Sequence, residues 1–177
     1  MSASDELTRI VPPLDNGKTP SVDWAAFEES LGTRLPEDYK WLVDTYGYGK
    51  FDDFLCILQP ESPSKYTRLK DSASASAEML AKVDAHESIP YPVDDLIPVA
   101  KTDNGDTIYW ISSPRENPDA WVVVGNGARN QKWPRHDGGI VEFLAAVLSR
   151  RIYFDIFPQD FPSDNPEFSR FPSMKRR

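Results

Sequence analysis

The chain is short of the residues from which active centres are usually assembled, with one cysteine and two histidines among 177 residues. Cys56 sits inside the apolar run Phe54-Leu55-Cys56-Ile57-Leu58. Without a second cysteine no disulfide can form within the chain, and a thiol among apolar neighbours is inert packing rather than a nucleophile. Such cysteine usage fits a reducing compartment, and the expected location is cytoplasmic. His86 and His136 form none of the spaced pairs that zinc sites use, so no metal and no cofactor are expected. No run approaches the ~18 apolar residues of a membrane span. The first twenty residues carry acids and prolines where a secretory signal would place basic and apolar segments, so the chain is expected to have no membrane contact.

Positive charge is scarce as well: 20 basic residues face 28 acidic ones, for a formal net charge of -8. Nucleic-acid binding needs a basic footprint, so nucleic acid is not an expected partner. The acid excess gathers between Asp23 and Asp53, where eight acids stand against Arg34, Lys40 and Lys50. An acidic face of this kind steers basic proteins toward it, or simply keeps a helical surface solvated.

What is present is dense punctuation and a regular apolar pattern. Asp23 is a helix N-cap, with Val22 and Phe27 placed for a hydrophobic staple, and Trp24, Phe27 and Leu31 share a face that Gly32 ends. Pro36 suits the first turn of a second helix, in which Tyr39, Leu42, Val43 and Tyr46 recur at helical spacing before Gly47. Two helices joined by a tight corner are expected, feeding a strand from Phe51 to Leu58. The segment 61–92 is less legible, with a modest helix expected around SASASAEMLAKVDAH. Leu96–Thr102 and Thr107–Ser112 flank Asp103-Asn104-Gly105-Asp106, a hairpin signal because Asn-Gly tolerates positive φ. Trp121–Val124 reads as a further strand, and 139–151 as an amphipathic helix bearing Ile140, Phe143, Leu144, Val147 and Leu148.

Helices, then strands, then a helix imply an α+β fold, mainly an antiparallel sheet with helices packed on one side. The expected organisation is an N-terminal arm (1–20), a single domain (21–157) and a Phe/Pro-rich C-terminal strap (158–177). The last 26 residues hold five of the nine phenylalanines and three Phe-Pro pairs, an unusual composition for a disordered tail. Gly125-Asn126-Gly127-Ala128-Arg129-Asn130 follows a strand like a phosphate-binding loop, but it lacks the third glycine, and Trp133-Pro134 interrupts the helix that should follow. Tyr39, Leu42 and Tyr46 fall on the apolar stripe, whereas Trp41 and Tyr48 are expected to be partly exposed. An aromatic exposed among acids suits protein binding, so Trp41, Asp44, Tyr48, Asp52 and Asp53 are the candidate contact residues.

The ordered set Leu31-Gly32, Leu35-Pro36, Asp38-Tyr39, Leu42, Tyr46-Gly47, Gly49, Phe51, Leu55 and Pro60 resembles the N-terminal signature of the SUKH superfamily, which includes the fungal Smi/Knr cell-wall regulators. Leu96-Ile97-Pro98 with Asn104-Gly105-Asp106 resembles its second block, and Phe143-Leu144 its closing helix; the likeness covers residues 22 to 150. The resemblance implies a SUKH-like α+β domain and, for bacterial members, a non-enzymatic immunity protein that neutralises a polymorphic toxin, often a nuclease or nucleic-acid deaminase. The partner so implied is a basic cognate toxin whose active site is masked. The alternative is a regulatory protein-interaction module like the fungal relatives. The motif residues Gly32, Pro36, Gly47 and Gly49 carry over as scaffold rather than as contacts.

Overall fold

The computed structural model describes residues 1–15 and 21–171. The rest of the expected arm (16–20) and the end of the expected strap (172–177) lie outside the described residues. In chain order the elements are α1 (Ala3–Ile10), α2 (Trp24–Leu31), α3 (Glu37–Tyr46), β1 (Gly49–Phe51), β2 (Leu55–Ile57), α4 (Leu69–Asp84), β3 (Leu96–Thr102), β4 (Thr107–Ile111), β5 (Val122–Asn126), β6 (Arg135–His136), α5 (Ile140–Leu148) and β7 (Phe168–Arg170). The seven strands form one sheet in the order β6-β5-β4-β3-β2-β1-β7, antiparallel at every pairing. The fold is α+β.

Strand alternation assigns the two faces. Ile97, Val99, Ile108, Trp110 and Val123 enter the larger core with α1, α3 and α5, whereas Leu96, Tyr109, Ile111 and Val124 meet Leu80 of α4 on the other side. Helix α4 approaches closely because its inward positions are small: Ser72 and Ser76 are buried in line with Leu80. On the main face Tyr39 lies edge-on to Trp110 with centroids 5.0 Å apart, and Trp110 to Trp121 at 5.9 Å. The two buried phenols of α3 each donate to a backbone carbonyl, Tyr39 to Leu58 O (2.6 Å) and Tyr46 to Val11 O (2.7 Å). Burial pushes both phenol pKa values up, so they stay neutral donors that pin α3 to β2 and to the end of α1.

The helical corner forms as its sequence predicts. Asp23 accepts from Ala26 N, Gly32 closes α2 in the left-handed region at φ +83°, and Gly47 ends α3 at φ +74°. The single strand expected from Phe51 to Leu58 is instead a hairpin. Phe54 N bonds Phe51 O at 3.1 Å, and Asp52 and Asp53 both have φ +52°, the double left-handed step of a type I′ turn, which aspartate tolerates. The β3–β4 hairpin matches its expected strands. Its buried Asp106 accepts from Thr102 Oγ1 (2.8 Å) and from Ala128 N (2.9 Å), tying the turn to the β5–β6 loop.

Two segments at the chain's ends complete the core. Residues 3–10 form a helix with a capping box between Ser2 and Asp5, and Leu7 and the following Val11 are fully buried. Helix α5 was expected to be amphipathic, yet eight of its nine residues are buried. The sheet takes one side, α1 packs along another, and Phe154 and Phe157 from the following chain press on Phe143 at 4.8 and 6.1 Å. The chain then runs back across the domain. Arg150 donates to Pro162 O and Asp164 Oδ1, Phe161 stacks on Phe54, and β7 pairs with β1 while Phe168 packs on Phe51 and Tyr46.

Gly49 shows how tightly β7 is seated, because a Cβ there would overlap the Ser169 carbonyl oxygen and lie 2.7 Å from Phe168 Cζ. Gly49→Ala is expected to cost about 1–3 kcal/mol through overpacking and to raise amide hydrogen exchange across the β1–β7 pairing. Gly32→Ala, where a Cβ meets nothing within 4 Å, is expected to cost only about 1 kcal/mol, the cost of its positive φ. Urea midpoints of the two variants check the order.

Candidate functional site

The five sequence-predicted contact residues fall in separate neighbourhoods. Trp41 and Asp44 lie one turn apart on α3. Trp41 is half-buried and edge-on to Tyr46 at 6.2 Å, while Asp44 is exposed and accepts from Trp24 Nε1 at 3.4 Å. Tyr48 packs its ring on Phe171 (4.3 Å) and its hydroxyl is hydrogen-bonded to Thr67 Oγ1 (3.1 Å). Asp52 is engaged by the C-terminal segment: its carboxylate accepts from Ser163 N (2.7 Å) and Ser163 Oγ, and its own N–H donates to Glu167 O (2.7 Å). Asp53 is exposed at the tip of the β1–β2 turn.

Around Trp41 the fold builds a groove of about 510 Å³. Helix α1 contributes Ala3 and Ser4, α3 contributes Glu37, Asp38 and Trp41, the loop before β5 contributes Asp119, and the start of α5 contributes Gly139, Val141 and Glu142. Three helices thus present their N-terminal ends to one space. The local reason is a shortage of caps. Pro36 and Gly139, the N-cap residues of α3 and α5, have no side chain to accept a hydrogen bond. Acids from elsewhere in the sequence fill both positions. Asp119 Oδ1 accepts from Glu37 N at 2.8 Å, and Asp38 Oδ2 accepts from Val141 N at 3.1 Å. Gly139 is required for that approach, since a Cβ on it would overlap the Asp38 carboxylate.

The electrostatics of the groove are lopsided. Burial holds the Asp38 carboxyl above the usual carboxylate range; its backbone hydrogen bonds offset part of that rise, and the nearby charge of Asp119 adds to it. Lys40 spends its ammonium on Glu28 and Glu37, each at 3.0 Å, and no basic side chain is among the groove's lining residues. Each helix N-terminus supplies about half a positive charge and Lys40 pairs with Glu37, which together leave part of the charge of four carboxylates unopposed. The groove is net negative around an indole. Of its lining, sequence reasoning singled out Trp41 alone. Ile140 begins an apolar helical run behind two glycines with no Ser, Thr, Asp or Asn cap, the one available hint that an acid must arrive from outside. Nothing local marks Asp119.

A second and larger cleft, about 1040 Å³, opens beyond α4 between Met79, Val83, Ile89, Trp133 and the β5–β6 loop. The glycines of that loop are explained by packing. A Cβ on Gly125 would lie 2.6 Å from both Phe154 Cε1 and Ile156 Cδ1, and one on Gly127 would overlap the Asn130 side chain. Cys56 is buried with its thiol pKa pushed up to about 11 by desolvation, so it is a neutral packing group at physiological pH. Among the described residues no three His, Cys, Asp or Glu side chains converge to hold a metal ion, and no helix is long and apolar enough to cross a membrane.

The chain is thus a one-sheet α+β domain with an acidic groove beside an indole. The sequence model of the SMI1-KNR4 cell-wall family (SUKH_6) matches residues 22–144, well over half of the chain, and the chain belongs to that family within the SUKH superfamily. No curated protein matches it.

The Asp38 environment generates a test. Because its folded pKa is raised above the unfolded value, Asp38 costs stability as pH rises from near 3.8 through that raised pKa, and the cost is constant above it. Asp38→Asn keeps an acceptor for Val141 N and removes the buried charge. It is expected to be at least as stable as the parent at pH 7, with the difference vanishing below about pH 3.5. Asp38→Ala loses the cap and is expected to be about 1 kcal/mol or more less stable than Asp38→Asn. Urea denaturation from pH 3 to 7.5 measures both.

Proposed function

We propose that the protein is a non-enzymatic immunity protein that binds a basic cognate toxin, of nuclease or nucleic-acid deaminase type, and masks its active site. Family membership supports an interaction role, and the observation that carries the reading is the excess of negative charge gathered around half-buried Trp41. A toxin that grips phosphates needs a basic cleft, and an acidic cover both occludes that cleft and finds it quickly by electrostatic steering. On this reading Trp41 and Asp44 of α3 are the principal contacts, and exposed Asp53 at the β1–β2 turn is a separate point of contact. Tyr48 and Asp52, which already hold the C-terminal segment, contribute at the margin.

Co-expression with the toxin encoded beside its gene tests the reading: survival of cells carrying both is expected, and death at the rate seen with toxin alone overturns it for that pair. Recovery of endogenous non-toxin partners by affinity purification and mass spectrometry, with no protection, would instead support a regulatory module. The association rate, followed by stopped-flow fluorescence, is expected to fall by about tenfold or more from low to high salt. Asp44→Asn is expected to slow association while leaving dissociation nearly unchanged. A rate indifferent to salt would remove steering from the account.

A further inference from the structure

We propose that the Trp41 groove is a socket for one arginine side chain of the partner, with the guanidinium lying against the indole and donating to Asp119 and Glu142. This deepens, and rests on, the reading of the protein as a binder of a basic protein. Four observations select that occupant.

The groove is pre-organised. Asp38 and Asp119 are held by the backbone N–H groups they cap, so their carboxylates do not have to be ordered on binding. It is also only partly neutralised: Lys40, whose side chain is 15% exposed, pairs with Glu28 and with Glu37 of the groove, and His136 Nε2 lies 3.7 Å from Glu142, while Asp38 and Asp119 form no ion pair among the described residues. The carboxylates are too dispersed to chelate an ion, because no three acidic, thiol or imidazole groups among the described residues form a metal-holding cluster. An extended organic cation can reach such separated carboxylates, whereas a small ion would face them one at a time. Finally, the wall is aromatic, and a planar guanidinium stacks on an indole while its forked N–H groups reach separated carboxylates, which a compact ammonium cannot do at once. Apolar Ala3 and Val141 beside Trp41 suit the side chain's methylene stem.

The test is a nitrogen-15 NMR titration of the full chain with the peptide N-acetyl-Gly-Arg-Gly-amide, beside its lysine and citrulline counterparts. Saturable shifts are expected at the Trp41 indole N–H and at the Gly139 and Glu142 amides for the arginine peptide. The lysine peptide should bind more weakly, and the citrulline peptide, isosteric but uncharged, about tenfold or more weaker. Asp119→Asn and Glu142→Gln, which preserve shape, should each weaken the arginine titration by about threefold to tenfold. Trp41→Phe should retain part of the binding and Trp41→Ala none. Equal binding of the citrulline peptide, shifts confined to other acidic surfaces, or no groove shifts at all would overturn the proposal. The two readings fail separately. Full protection by the charge-neutral variants would sink the socket while leaving the immunity reading intact. Peptide binding in the groove by a protein that gives no protection would do the reverse.

Discussion

The structure depends on the need to cover α5. A helix that is apolar nearly all the way round cannot rest on a sheet with its far side in water, and eight of nine α5 residues are buried. The sheet and α3 supply part of the enclosure. The remainder comes from α1 and from the phenylalanine-rich chain after α5, both outside the span matched by the family. Enclosure has an electrical corollary at the helix start, where free N–H groups would be buried without partners. Asp38 reaches across from α3 to satisfy one of them, so the helix that fills the core also holds α3 in place.

How far this was readable in the chain varied with the range of the cause. Local causes were legible. The Asp23 cap, the Gly32 and Gly47 stops and the hairpin around Asn104-Gly105 act within a few residues, and each appears where the sequence placed it. The β1–β2 turn was missed because Asp-Asp is a weaker left-handed signal than Asn-Gly, and Phe51 to Leu58 looked continuous. The start of α5 was recognised but not its enclosure, since Val141, Ala145 and Ala146 lie outside the stripe and α1, which packs along α5, is more than 130 residues away in sequence. The helix at residues 3–10 was passed over among polar residues, although its Ser2–Asp5 capping box is a sequence-level feature.

The candidate site shows the same division. Trp41 was found by its position on a helix, but the acids that give it a chemical environment come from α3, the loop before β5 and the start of α5. No periodicity connects Asp38, Asp119 and Glu142. Conversely, Asp52 and Tyr48 carried the right composition for a contact surface and are partly committed to the C-terminal segment, so acid and aromatic content alone overstated their freedom. The acids of the groove have a double character. Asp119 and Asp38 cap the starts of α3 and α5, and the groove's acids together exceed what the helix N-termini can neutralise.

The two ends of the sheet bear on how such a protein meets others. β7 covers the outer side of β1 for three residues, and at the opposite end β6 is only two residues long. Among the described residues each border strand is thus too short to offer a long ladder of peptide groups to a foreign strand. A strand added at either border would gain few main-chain hydrogen bonds, so any contact made there would have to come mostly from side chains.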